Sequence, residues 1–418
     1  MTVPAHQATT RHLGAAYPFA SEPGLGGRGV LVGRDLLGGA FAYDPFELYQ
    51  AGVVTNPNMI VFGQIGRGKS AFVKTYLWRQ AVFGRRAWVI DPKGEYGVLA
   101  RAWGIEPVAL RPGGDIRLNP LDDPGGAPED TARRRCELLA SLATASLGRA
   151  LLPSERSALD LAVDAVSAGD RRRRPAPTLF DVVDALLEPS PAAARAVRSE
   201  VGRVAADGRE IALELRRLVG GDLRGMFDGP TTTGIALDGP LVVLDLSAVY
   251  RSAALGVLMT CAAAWLHAAL ADRHGLRAGN VIIVVDEAWA ILSNLGVARW
   301  LQSSWKLARA FGVANIAVLH RLSDLTAVGS AGSEQVRVAE GLLADSETRV
   351  VYAQSYGEVE AAGRLLGLSE TEGELVPHLQ RGVALWKVAG RSFLVQHRLT
   401  PTERALVDTD VRMRADVD

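Results

Sequence analysis

A chain of 418 residues with 48% hydrophobic residues can bury a sizeable core and divide into two or three domains without staples. Lys plus Arg and Asp plus Glu both count 46, which excludes the overall basic excess of a dedicated nucleic-acid or acidic-lipid binder; any polyanion contact has to be local. The two cysteines, Cys136 and Cys261, match no ligand spacing, which argues against a cysteine-built metal site and for unpaired thiols in a reducing compartment.

The N-terminal stretch "MTVPAHQATTRHLG" has no apolar core of the signal-peptide kind, so a cytoplasmic chain is expected, and residues 1–50 read as an N-terminal extension. The first strand expected is Met59–Phe62. It runs into "GQIGRGKSA", where Gly63, Gly68, Lys69 and Ser70 fit the phosphate-loop pattern. Gln64, Ile65, Gly66 and Arg67 fill the loop, and Ala71 belongs to the first turn of the helix it opens. That spacing lets backbone N–H groups and a helix N-terminus wrap a phosphate while Lys69 reaches the β/γ oxygens and Ser70 ligates magnesium. Phe72, Val73, Tyr76 and Leu77 then share one face of the helix, so the loop sits in a strand-loop-helix unit.

A second strand, Ala87–Ile90, leads into "DPKGE", which carries Asp91, Lys93 and Glu95; physics alone reads these as a turn with a surface ion pair. Residues 124–229 show no convincing strand and several capped helical patterns, with Asp130, Ser154 and Thr178 as N-cap candidates. This is the signature of an all-helical inserted subdomain. Its four-arginine run, Arg171 to Arg174, reads as a solvated loop or as a polyanion contact.

Further strands are expected at Leu241–Leu246, Val281–Val285, Ile316–Leu319 and Arg349–Tyr352, and a hairpin about Ala389-Gly390 at the sheet edge. Ala253 to Ala271 is long and apolar enough for a membrane span, but it is Ala-rich, contains His267 and lies between two strands, so a buried core helix is expected. Val281–Val285 is expected beside the first strand, where Asp286 would hold magnesium and Glu287 polarise a water; a solvated turn is the plainer reading of such an acidic pair. The fold class is α/β, a mostly parallel sheet covered by helices in the manner of a P-loop NTPase. Residues 51–123 and 230–418 would form the core.

Taken in order, "GQIGRGKS", "VIDPKGEYG", "VVDEAW", "LARAFGVANIAVLHRLSDL" and "ADSETRVVYAQS" resemble the HerA/FtsK superfamily of nucleic-acid and protein-translocating ATPases. Within it the chain is most similar to the conjugative-transfer and type IV secretion ATPases of the TraC/TraG type, through "DPFELYQAGVVTNPN" and "RLNPLDD" as well. The resemblance spans about Asp44 to Met413 and implies a RecA/FtsK-like core using ATP and Mg2+. It implies that Asp91, Lys93 and Glu95 lie near the nucleotide, and that His320 occupies a sensor position where Gln is usual. It further implies that Arg349, beginning a strand at the subunit edge, or Arg309 reaches a neighbouring subunit's nucleotide. A homo-hexamer follows, peripheral at the inner face of the cell membrane and working with a secretion or conjugation apparatus, with nucleic acid a candidate partner. The large N-terminal domain, membrane helices and winged-helix module of some members have no counterpart in this sequence. Three functions stay open: a secretion or conjugation motor, a translocase acting directly on duplex DNA, and a nucleotide-gated component with little turnover.

Overall fold

The computed structural model describes residues 24–122, 128–167, 176–235, 239–252, 254–272, 280–292, 298–299, 301–302, 305–306, 312–320, 334–363 and 366–407. Eleven strands are found among them: β1 (Val30–Asp35), β2 (Ala40–Tyr43), β3 (Met59–Phe62), β4 (Arg86–Asp91), β5 (Val108–Ala109), β6 (Leu241–Asp245), β7 (Val281–Val285), β8 (Val313–Leu319), β9 (Thr348–Tyr352), β10 (Val383–Val388) and β11 (Arg391–His397). They form one sheet in the order β2-β1-β11-β10-β9-β3-β8-β7-β4-β6-β5. The seven strands from β9 to β5 pair in parallel, and the four from β2 to β10 extend the sheet antiparallel.

The apolar strands are buried because both faces of the sheet are covered. Ile60, Phe62, Trp88 and Ile90 point into one hydrophobic cluster and Met59, Val61, Ala87 and Val89 into the other, which is the period-two alternation of a doubly covered strand. The helices α1 (Pro45–Gln50), α2 (Lys69–Gln80) and α3 (Gly97–Arg101) come early in the chain, with Phe72 and Leu99 in the second cluster. Helices α4 (Pro128–Leu147), α5 (Pro153–Ser167), α6 (Leu179–Leu187), α7 (Pro191–Ala196) and α8 (Val201–Gly220) follow β5 without an intervening strand among the described residues. Thr178 closes a capping box with Asp181 at the start of α6. The apolar faces of these helices join the first cluster, continuous with Trp88, Leu244 and Ile283 of the sheet.

The long apolar segment forms α9 (Leu255–Asp272) and buries Leu258, Met259, Cys261 and Leu266 in that same cluster. No described helix is long and apolar enough to cross a membrane.

Three expectations about the sheet change. The hairpin β10-β11 is present, but it is not at the edge: β1 and β2 extend the sheet past it. Residues 30–43, which the sequence suggests are extension, are therefore strands of the same sheet. They are held there by aromatics, since Trp386 of β10 meets Phe41 at 5.1 Å, Tyr43 at 5.2 Å and Phe72 of α2 at 5.2 Å between ring centroids. Finally, the strand bearing the acidic pair is not beside β3, because β8 lies between them.

Trp386 thus ties the antiparallel strands to the helix that follows the phosphate loop. Trp386→Ala should lower unfolding free energy by about 3–5 kcal/mol, read from chemical denaturation. An unchanged midpoint would show that this cluster does not hold the two parts together.

Candidate nucleotide site

The parallel strands end together, and their register decides which side chains meet. Phe62 pairs with Leu319, Val285 with Ala317, and Ile90 with Val285. The next residues along the C-terminal edge are therefore Gly63, His320, Asp286 and Asp91, in that spatial order. This edge is where open α/β sheets bind ligands.

The loop after β3 is shaped by its glycines at two points. A Cβ on Gly63 would lie 2.5 Å from Cβ of Tyr352, and Gly68 sits at φ +112, a conformation that favours glycine. Gly68 is the N-cap of the twelve-residue helix α2 and no side chain caps it, so the helix end presents its N–H groups outward. Ile65 and Gly66 at the loop tip are exposed, while Gln64 donates its N–H to Ala353 O at 3.1 Å and Arg67 O accepts from Gly382 N at 2.9 Å. The Lys69 ammonium donates to the carbonyls of Gly63 and, at 3.0 Å, of Gln64. Burial pulls its pKa down to about 8, against the attraction of Asp286 and Glu287. Ser70 and Ala71 follow in the first turn, both half-buried.

Asp286 and Glu287 occupy the turn after β7 and both are buried. Asp286 accepts the Glu287 N–H at 2.9 Å. Burial, then the like charges of Glu287, Asp91 and Glu95, push its carboxyl up to about 7. A carboxylate and the Ser70 hydroxyl are hard oxygen donors of the kind magnesium takes, and the surplus of negative charge around Asp286 is what a divalent cation would offset; these residues fit such an ion.

Glu287 adopts φ +53, an uncommon backbone conformation for a side-chain-bearing residue. Its Oε1 contacts both Lys93 Nζ and His320 Nε2, and its Oε2 accepts from Trp289 Nε1. Burial alone would raise this carboxyl; the hydrogen bond and charge of His320, with those of Lys93, bring it down to about 2.

Asp91, which ends β4, and Lys93 and Glu95 in the turn that follows separate in role. Asp91 is fully enclosed, with Oδ1 accepting the N–H groups of Lys93 at 3.2 Å and Glu95 at 3.1 Å and Oδ2 that of Tyr96 at 2.8 Å. It folds the turn. Burial raises its pKa to about 6 despite those bonds. Glu95 pairs with the buried Lys74 at 3.4 Å. Only Lys93 of the three reaches the acidic pair.

Arg349 lies elsewhere. It pairs with Ile60 on β9, an interior strand rather than a subunit edge, and stands two pairs back from the Phe62–Val351 level at which the site begins. Its guanidinium donates to Leu366 O, in a turn, at 2.7 Å and to Leu343 O, in the last turn of the helix Glu334–Ala344, at 3.2 Å, so its observed work is to clamp those two carbonyls. Arg309 and the run Arg171 to Arg174 are outside the described residues.

Trp289, Tyr250 and Gln354 were not legible as site residues in the sequence. Trp289 is placed by the short helix α10 (Trp289–Leu292), Tyr250 lies under Lys93 at 5.8 Å, and Gln354 donates to His320 O at 3.2 Å. The only signal was nearness, Trp289 lying two residues past Glu287.

The raised pKa of Asp286 makes a stability prediction. Between about pH 4 and pH 7 the folded state binds a proton that the unfolded chain has released, so stability falls as pH rises across that window and stays reduced above it. Asp286→Asn should therefore be more stable than wild type at pH 8 in chelator, by ~1–3 kcal/mol, with the advantage gone below about pH 4. A variant no more stable at pH 8 would show that Asp286 is not held against its charge.

No protein-family model and no curated protein matches the chain. Solved structures do. VirB4 of Thermoanaerobacter pseudethanolicus superposes with a TM-score of 0.72 at 22% identity, over 91% of this chain and 99% of that one. The plasmid coupling protein TrwB in complex with ADP and Mg2+ gives 0.60 at 14% identity, over 93% and 92% of the two chains. TrwB with the non-hydrolysable analogue ADPNP gives 0.59 at 14% identity, with the same coverage. The sheet order and the loop at its C-terminal edge define the P-loop NTPase fold. More narrowly, it is the fold of VirB4 and of the conjugative coupling protein TrwB, in keeping with the resemblance drawn from the motifs.

Proposed function

We propose that the chain is a magnesium-dependent ATPase that energises conjugative DNA transfer or a type IV-like secretion apparatus. The observation that carries this is the convergence of Lys69, Asp286, Glu287 and His320 at one end of adjacent parallel strands, where a grip for phosphate, an acid for a cation and a base for water stand together. Complexes of TrwB with ADP and Mg2+ and with ADPNP support ATP and magnesium as the ligands. Magnesium held by Ser70 and Asp286 would supply Lewis-acid stabilisation of phosphate charge. Lys69 would bind the phosphates, Glu287 would take the proton of the attacking water, and His320 would orient it.

The resemblance drawn from the motifs carries with it a homo-hexamer at the inner face of the membrane, working with that apparatus. Residues 124–229 are proposed as the inserted unit, with α4 to α8 as its substance. A second reading, a nucleotide-gated component with little turnover, draws support from one observation: Glu287, with its carboxyl held down to about 2, is a poor base in the arrangement seen.

The test is steady-state ATP turnover of the purified chain with and without magnesium, alongside ATP affinity. Turnover that vanishes with chelator supports the motor, and tight binding without turnover the gated component. Stimulation by duplex DNA with a steep salt slope would move the assignment to direct translocation, because phosphate contacts release counterions.

A further inference from the structure

Of Asp91, Lys93 and Glu95, Lys93 is the one that contacts Glu287, and its surroundings suit a mobile part. Lys69 approaches from β3 and Lys93 from the opposite flank, beyond β7, so the two ammonium groups bracket Asp286 and Glu287. Lys74 is wholly buried on Glu95 and the Tyr96 ring, whereas the Lys93 side chain keeps about a quarter of its surface exposed (26%). Its ammonium touches Glu287 Oε1, lies 3.2 Å from His320 Nε2, and leans toward the Tyr250 ring. A flexible four-carbon stem carrying a compact charge can change partner without moving the backbone.

From this geometry we infer that Lys93 is a positioning residue that couples the terminal phosphate of a bound nucleoside triphosphate to Glu287. The inference rests on the ATPase reading above. Glu287 offers about four lone-pair positions, and three are engaged by Lys93, His320 and Trp289. So long as Lys93 stays on Oε1, little acceptor capacity is left for a water. A terminal phosphate carries more negative charge than one carboxylate and attracts an ammonium more strongly at the same distance. When Lys93 turns to it, His320 and Trp289 still fix the carboxylate while Oε1 regains a free acceptor position. A diphosphate, lacking that group, leaves Lys93 on Glu287. Lys93 then distinguishes triphosphate from diphosphate and readies the base only for the former.

Trp289 supplies a readout apart from turnover, because its indole N–H is bonded to the same carboxylate. Its emission is isolated as wild type minus Trp289→Phe, during titration with ADP or with a non-hydrolysable ATP analogue in magnesium; calorimetry follows binding in parallel. Wild type should show a change in Trp289 emission with the analogue and none with saturating ADP. Lys93→Met should bind both nucleotides within about tenfold of wild type and lose the difference between them, and Lys93→Arg should keep part of it. Equal responses to ADP and analogue in wild type, or full discrimination in Lys93→Met, would overturn the coupling while leaving the ATPase reading in place. Wild type that binds neither nucleotide by calorimetry would overturn both.

Discussion

Glu287→Gln should bind ATP with near wild-type affinity and turn it over about a thousandfold more slowly. The substitution keeps the size of the side chain and one oxygen to accept from Lys93, His320 or Trp289, so the turn after β7 and its packing on β8 persist. What it removes is the acceptor for a water proton and the charge that would stabilise it. The grip proposed for phosphate, Lys69 and the N-terminus of α2, lies at the other end of the site and is untouched. A variant that hydrolyses ATP at the wild-type rate would remove Glu287 from the chemistry and favour the nucleotide-gated component.

Lys69→Ala should lose binding itself, by on the order of a hundredfold or more, and with it all measurable turnover. In the wild-type chain the ammonium is buried at the base of the loop and bonded to the carbonyls of Gly63 and Gln64, groups that it can exchange for phosphate oxygens. Because burial lowers the Lys69 pKa to about 8, the charge is present below that pH and declines above it. Wild-type affinity for nucleotide should accordingly weaken as pH rises through about 8, and Lys69→Ala should lose that dependence. Affinity by calorimetry at several pH values checks both; retained binding in Lys69→Ala would mean that the helix N-terminus alone suffices.

Much of this site was legible in the sequence because its signals are local. Continuous apolar runs such as "VIIVV" and "MIVF" have only one comfortable place, inside a parallel sheet covered on both faces, and the residues just past them fall at the edge. The phosphate loop is local too, since glycine spacing and a following helix suffice. What escaped depends on pairings between distant segments. "AFAY" is four residues long and "VLVGRD" is interrupted by glycine, so neither stands out as a strand until Trp386 and Phe72 supply the surface they pack on. Strand order is equally non-local: nothing in "VANIAVL" says that it slots between β3 and β7, yet that placement is what sets His320 between the phosphate loop and the acidic pair. The motif "DPKGE" was legible as a unit and not as three separate jobs. Asp91 folds the turn, Glu95 neutralises Lys74 and Lys93 reaches Glu287. Arg349 shows the converse hazard, for a strand-leading arginine reads as an edge residue until β10 is found paired on its outer side.

Glu287, held by side chains from three different segments, is proposed as the base of a magnesium-dependent ATPase. The most direct measurement is steady-state ATP turnover of wild type and Glu287→Gln on protein whose ATP affinity has been determined in the same preparation. Wild type should turn over ATP only with magnesium, the variant should be about a thousandfold slower, and their affinities should lie within a few fold of each other. Equal turnover in the two proteins, or none in a wild type that binds ATP tightly, would contradict that role.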